Sequence, residues 1–267
     1  MADHINRLSV TARLPRLRLP IGLVLPLLLI GLWWAGVAGG VLREHFFSTP
    51  GAVFDTLFSL AADGTLATEF RDTFQRLLAG AGIGFTTGML LGGLTGYTRW
   101  VEKILDPTVQ GLRAVPAVAW IPFLILTLGI ADAPKIAMIA IAIFFTAYVN
   151  TFAGVRSTDQ KLIELARAYR LSRAVVIRRI IIPSAKPQIF VGLRLAAGIA
   201  WIVAVFSEIL IGNSGLGVLL NDGRTLGRPD QTIALMLVLA TAGKLTDGLI
   251  RLAELRATRW RATFAGE

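Results

Sequence analysis

Apolar residues along this chain gather in runs too long for strands and too continuous for the one-sided stripe of a water-facing helix. They fall at about Ile21 to Gly39, Phe74 to Tyr97, Ile104 to Ile130, Lys135 to Val155, Pro187 to Ile211 and Thr232 to Ile250. A bilayer core about 30 Å thick is crossed by roughly 20 helical residues rising 1.5 Å each. The pattern predicts an all-α membrane protein with about six transmembrane helices. The third run carries Pro107, Pro116 and Pro122, which remove backbone donors and should kink it or split off a separate helix. The first run follows Arg7, Arg13, Arg16 and Arg18 like a signal peptide. It is too long for one, and Trp33 and Trp34 stand where small cleavage-site residues would be needed. It reads as an uncleaved first span.

Charge sets the orientation. Arg99, Lys103, the stretch from Arg156 to Lys186, and Arg251, Arg256, Arg259 and Arg261 fall on one side of a six-span arrangement, with the N-terminal arginines. The opposite loops set Arg43, Arg71, Lys135, Arg224 and Arg228 against Glu44, Asp55, Asp63, Glu69, Asp72, Asp222 and Asp230. The basic side should be cytoplasmic. Both termini then face the cytoplasm. The expected organisation is a cytoplasmic segment 1–19, a transmembrane domain 20–250 containing a cytoplasmic loop 156–186, and a basic tail 251–267.

Composition agrees and excludes alternatives. Hydrophobic residues make up 54% and charged residues 16%, against about 25% charged in soluble domains, and the mean hydropathy is +0.65. The net charge of +10 sits between apolar runs and not in a stripe interleaved with aromatics, so nucleic acid is not the partner. With no cysteine, and with His4 and His45 the only histidines, no metal cluster or Ser-His-Asp set is expected, and no catalytic residue is assigned. No GxxxxGK[ST] phosphate loop occurs, so ATP binding would belong to another subunit.

The second run carries Gly80, Gly84, Gly88, Gly92 and Gly96. A glycine at every fourth residue leaves a groove on one helix face where another helix can approach. Packing within the bundle and a seam between two subunits both fit.

The loop STDQKLIELARAYRLSRAVVIRRIIIPSAKP, from Ser157 to Pro187, holds the most specific pattern. Ser157 with Gln160 fits a capping box. Leu162, Ala166 and Tyr169 then share a face, with Leu165 beside them, while Lys161, Glu164 and Arg167 lie largely elsewhere. Such a short amphipathic helix needs a surface, either the lipid interface or a soluble partner.

At this point the residues resemble a known family. The signature loop of bacterial ABC importer permeases reads Glu-Ala-Ala, a Gly, and after nine more residues Ile, any residue, Leu, Pro. Glu164, Ala166, Ile180 and Pro183 fall at those offsets, with Leu165, Arg170 and Ile182 replacing the first Ala, the Gly and the Leu. FFSTPGAVFDTL, LDPTVQGLRAVPAVAWIPFLILTLGI, PSAKPQIFVGLRLA and SEILIGNSGLG extend the likeness to the nitrate, sulfonate and taurine group over roughly residues 20 to 260. The resemblance implies the MetI-like permease fold, a homodimer, two cytoplasmic ATPase subunits that bind ATP and Mg, and an extracytoplasmic solute-binding protein. It implies that Leu162, Glu164, Leu165, Ala166, Arg167, Tyr169, Arg170, Ile180 and Pro183 couple ATPase motion to transport of a small solute such as a sulfonate, taurine or nitrate. Arg170, where the family has Gly, should either carry the cost of a left-handed turn, about 1 kcal/mol or more, or let the helix run on.

Ionisable groups inside apolar runs face a bundle interior or a water-filled path. Arg113, Arg194, Glu208 and Lys244 are the ionisable candidates, and Arg113, Trp120, Trp201, Glu208 and Asn213 are the candidates for a path or gate. Arg194 is expected to snorkel toward the basic side, and Arg113 to pair with an acid or a helix C-terminus. Glu208 either accepts from backbone donors freed where its helix ends or acts as a gate. The rival class is a stand-alone secondary transporter, for which only Glu208 and Asp247 could serve as coupling carboxylates.

Overall fold

A computed structural model describes residues 24–43 and 46–258. The predicted N-terminal cytoplasmic segment, Glu44, His45, and Arg259 and Arg261 of the tail lie outside the described residues. The chain divides into two units, residues 1–52 and 53–267. In the first, α1 (Val24–Ala38) is apolar throughout and ends in a turn through Gly40, whose φ is +69°. α2 (Pro50–Ala62) begins there and continues into the second unit.

The second unit is helical, without a strand among the described residues. It comprises α3 (Thr65–Tyr97), α4 (Arg99–Arg113), a 3-10 turn (Ala117–Trp120), α5 (Ile121–Leu128), α6 (Asp132–Arg156), α7 (Gln160–Ala168), α8 (Arg173–Val176), a π turn (Ile177–Ile181), α9 (Ile182–Ile211), α10 (Leu216–Thr225) and α11 (Pro229–Ala257). α3, α6, α8 to α9 as one continuous rod, and α11 are each long and apolar enough to cross a membrane, and α4 with α5 makes a fifth candidate bent by 91°. The all-α reading stands. α1 supplies 15 described residues, fewer than a full span requires.

The three prolines act differently from one another. Pro107 is accommodated within α4, Pro116 takes an extended conformation that breaks the chain between α4 and the 3-10 turn, and Pro122 sits in the first turn of α5, where no backbone donor is needed. α3 begins nine residues before the predicted Phe74, because the polar turns at its start are held by partners described below. Asp63 starts it by accepting the Thr65 N–H at 2.9 Å.

α3 and α6 run parallel, with glycine after glycine of α3 seated on α6. A Cβ at Gly80 would lie 2.7 Å from the Ile139 side chain, one at Gly96 2.8 Å from Val155, and those at Gly84, Gly88 and Gly92 would overlap the carbonyl oxygens of Ala140, Phe144 and Tyr148. The seam is therefore backbone against backbone for about 24 Å, at 1.5 Å per residue, and it packs within the chain. Parallel neighbours carry a topological demand: α4 and α5 must return the chain across the thickness that α3 has crossed. With α3 and α6 both crossing, the bent pair is the element left to supply that return.

α9 continues the packing. Gly154 of α6 faces Ala185 and Gln188, and Gly192 faces Asn150. The core gathers Leu77, Ile121, Leu124, Met138, Ile139, Ile143, Ala200, Trp201, Leu216 and Leu235 from six helices.

Gly88→Leu is expected to lower stability by at least the 1–3 kcal/mol typical of overpacking, read as loss of yield and monodispersity in detergent. Gly82→Ala, where an added Cβ meets nothing within 4 Å, should leave both unchanged.

Candidate functional site

Two constellations form at opposite ends of the α3–α6 pair. At the end where both helices finish lies the loop carrying α7. Its cap is Asp159, whose carboxylate accepts the Lys161 N–H at 2.9 Å. The predicted Ser157 cap is corrected: that hydroxyl donates instead to the Gly154 carbonyl at 2.8 Å in the last turn of α6.

α7 ends in a Schellman turn. The Leu171 N–H reaches the Ala166 carbonyl and the Arg170 N–H reaches that of Arg167, both at 2.9 Å, and Arg170 sits at φ +51°. The helix does not run on. Arg170 keeps the turn a glycine would make, in a left-handed conformation that costs a residue with a Cβ about 1 kcal/mol.

The face assignment also needs correcting. Ala166 is buried, whereas Leu162, Leu165, Tyr169 and Leu171 are 43–73% exposed. Ile163 and Ala166 look into the chain, and the remaining apolar residues form an outward edge. Glu164, Arg167 and Arg170 are exposed, and Ile180 and Pro183 are half-buried. Leu162 lines one concavity with Ile180 and Pro183.

At the other end, where α3 and α6 begin and α9 finishes, is a buried charge network. Arg76, 5% exposed, donates to Glu208 Oε1 at 2.9 Å, Asp132 Oδ1 at 2.7 Å, the Ser214 carbonyl at 2.9 Å and Ser214 Oγ at 2.6 Å. The fully buried Glu208 also accepts from Thr73 Oγ1 at 3.0 Å and the Gly217 N–H at 2.9 Å. Thr73 in turn accepts the Leu216 N–H at 2.8 Å, and Glu69 accepts that of Gly215. Lys135 Nζ donates to Asn213 Oδ1 at 3.0 Å and Asp132 Oδ1 at 3.4 Å.

The loop between α9 and α10 is thereby tied to α3 and α6 by side chains of both signs. Its glycines permit the close fit. A Cβ at Gly215, whose φ is +115°, would overlap the Glu208 carboxyl, and one at Gly217 would lie 2.8 Å from Glu208 Cβ. Glu208 does accept a freed backbone donor, as expected, but its principal partner is a guanidinium.

Arg76 was not among the sequence candidates, although it lies inside the predicted second span. The available signal was an arginine within an apolar run, the criterion that selected Glu208. Lys135, assigned to a solvent-facing loop, is fully buried.

The other candidates are dispersed. Trp201 lies in the core, its Nε1 donating to Thr246 Oγ1 at 3.2 Å and its ring 6.2 Å from Phe70. Trp120 is half-buried and, with Gly84, Leu112, Ala140 and Phe144, lines an apolar groove of about 360 Å³. Arg113 is exposed at the end of α4, contacting Gln110 one turn back at 3.5 Å. It pairs with no acid among the described residues. Arg194 does not simply snorkel: it makes a two-point pair with Asp247 at 2.8 and 3.2 Å.

Residues 84–259 match the family of binding-protein-dependent transport system inner membrane components. The chain belongs to this family. Among its relatives, the permease is 35% identical over 245 residues to the putative aliphatic sulfonates transport permease protein SsuC of Bacillus subtilis (strain 168), covering 92% of this chain and 89% of that one. It is 29% identical over 263 residues to the taurine transport system permease protein TauC of Escherichia coli (strain K12), covering 96% and 95%. It is 32% identical over 187 residues to the nitrate import permease protein NrtB of Synechococcus elongatus, covering 70% and 67%. Among solved structures, an inward-facing MetNI methionine ABC transporter superposes with a TM-score of 0.62 at 17% identity, over 74% of this chain and 96% of that one, which establishes the fold. The permease is thus an ABC importer subunit of the sulfonate, taurine and nitrate type. The secondary-transporter alternative is not favoured, and both carboxylates it would need, Glu208 and Asp247, are held by arginines.

Removing one member of the buried pair should cost more than removing both. Arg76→Met or Glu208→Leu alone is expected to lose about 3–5 kcal/mol, as uncompensated buried charges do. The double variant should recover a large part of that loss in thermal unfolding of the purified permease, giving a coupling energy well above 1 kcal/mol. Arg170→Gly should raise stability by up to about 1 kcal/mol, visible in the same melts.

Proposed function

We propose that the permease works as a homodimer that passes a small oxyanion, of the sulfonate or nitrate kind, into the cytoplasm, and that α7 is the element on which two ATPase subunits act. The observation that carries this reading is α7 itself. It is capped at its start and closed by a Schellman turn, and it leaves Leu162, Leu165 and Tyr169 exposed beside Glu164 on a helix too short to stand alone. An apolar edge with a charged neighbour on a helix closed at both ends suits a groove in a soluble partner. The relatives named for aliphatic sulfonates, taurine and nitrate support an anionic substrate.

In this reading ATP and Mg are bound by the partner subunits, and this chain hydrolyses nothing. The termini, α7 and the 156–186 loop face the cytoplasm, within a permease domain of residues 20–250. The Arg76–Glu208 network then closes the outer side, under the surface that receives the solute-binding protein. ATP-driven closure of the ATPases moves α7. Loosening of the loop 212–215 from Arg76 and Glu69 opens the outer side, so access alternates. Of the path candidates, Glu208 and Asn213 serve as gate groups held by Arg76 and Lys135, and Arg113 and Trp120 flank the break between α4 and α5.

Leu165→Asp and Glu164→Ala with Tyr169→Ala, expressed at wild-type level, are expected to lose co-purifying ATPase. Truncating central apolar contacts commonly costs about 2 kcal/mol or more. Uptake of an alkanesulfonate by proteoliposomes holding the full complex should fall in proportion. Retention of the ATPases and of uptake by both variants would make α7 a lipid-surface helix.

A further inference from the structure

Under α7, at the end where α3 and α6 finish, two adjoining concavities of about 520 Å³ each share Arg99, Ile163 and Arg167 in their walls. Arg156 and Arg173 complete the basic lining. Arg156 is already matched by Glu102. Arg99, Arg167 and Arg173 make no salt bridge among the described residues.

A second observation points independently to a ligand. Thr158 lines this space and is 9% exposed, and its buried hydroxyl has no hydrogen-bond partner. Gln160, the first residue of α7, is on the same wall, which brings the start of that helix beside the space. Unmatched guanidinia, an orphan hydroxyl and a helix N-terminus make a wall rich in donors, suited to a phosphate-class oxyanion.

The location selects the source. The apolar span α3 ends at Tyr97, which rims the concavity, and Trp100 beside it is 71% exposed. Aromatic residues of this kind sit at the headgroup level of a bilayer. Basic pockets between spans on the cytoplasmic side are where anionic headgroups bind.

We propose that this pocket holds the phosphate of an anionic phospholipid, lodged between the end of α3 and the underside of α7, so that lipid props the coupling helix. The proposal rests on the reading that α7 faces the cytoplasm and requires neither ATPase docking nor the identity of the transported anion.

The test is retention of lipid by the purified full chain during graded delipidation, counted by native mass spectrometry with phosphatidylglycerol against phosphatidylcholine. The wild type should keep phosphatidylglycerol selectively. Arg99→Gln and Arg173→Gln, at exposed positions that leave the fold intact, should each weaken retention roughly fivefold, and Thr158→Val should weaken it further without adding volume. Millimolar inorganic phosphate or an alkanesulfonate should not displace the lipid. Equal retention by wild type and all three variants would overturn the proposal, as would displacement by either soluble anion, which would assign the pocket to a free oxyanion. Because the readout involves neither ATPase nor uptake, its failure is distinguishable from failure of the transport reading.

Discussion

The contact on which this structure depends is the backbone-to-backbone approach of α3 and α6. Lipid tails are as apolar as leucine, so helices in a bilayer gain little from hiding apolar side chains from one another, and close packing of small residues has to supply the adhesion. Gly84, Gly88 and Gly92 bring α3 against the carbonyls of α6. Because the two helices are parallel, this contact delivers both their starts to one side and both their ends to the other. Arg76 is thereby placed beside Asp132 and Lys135, and Arg156 beside Glu102. Both candidate sites are consequences of one seam.

The charge network shows how a low-dielectric setting is tolerated. Arg76 is satisfied by two carboxylates, a carbonyl and a hydroxyl, which is the fork geometry that makes arginine suited to buried pairing. The carboxylates spread that charge over α6 and α9 and over the loop beyond. A loop held by ions differs from one held by apolar contacts. Its position is strongly specified by geometry, yet water entering the site can replace each bond, since the same groups are well solvated once exposed.

Hydropathy made most of the fold legible, because the runs from Phe74, Lys135, Pro187 and Thr232 are long and uninterrupted. Arg76 was legible as an arginine within an apolar run, the same signal that marked Glu208, whereas Lys135, the first residue of its run, reads as a boundary, and only the partner helices reveal that it is buried. The α7 segment was legible in outline. Its cap was misplaced because Ser157 and Gln160 satisfy a pattern that Asp159 in fact fulfils through a closer N–H. The inner and outer edges of α7 could not be separated from periodicity, for Ile163 and Ala166 on one side and Leu162, Leu165 and Tyr169 on the other form one continuous apolar arc. Which part of that arc the chain covers is decided by tertiary packing, and the helix sequence alone does not contain that information.

The helical stretch Arg173–Ile211 is unbroken over 39 residues, about 57 Å at 1.5 Å per residue, and Pro187 does not interrupt it. Its first turns follow directly on the α7 turn, and its last carries Glu208. Mechanically it is a strut bearing on α6 near its lower third, through Gly154 and Gly192. A tilt of roughly five degrees about that bearing moves the Ile211 end by about 3 Å, over an arm of roughly 33 Å at 1.5 Å per residue. That travel is comparable to a hydrogen-bond length. Length alone thus relates a small angle at one end of the rod to a displacement of hydrogen-bond size at the other, where Glu208 lies.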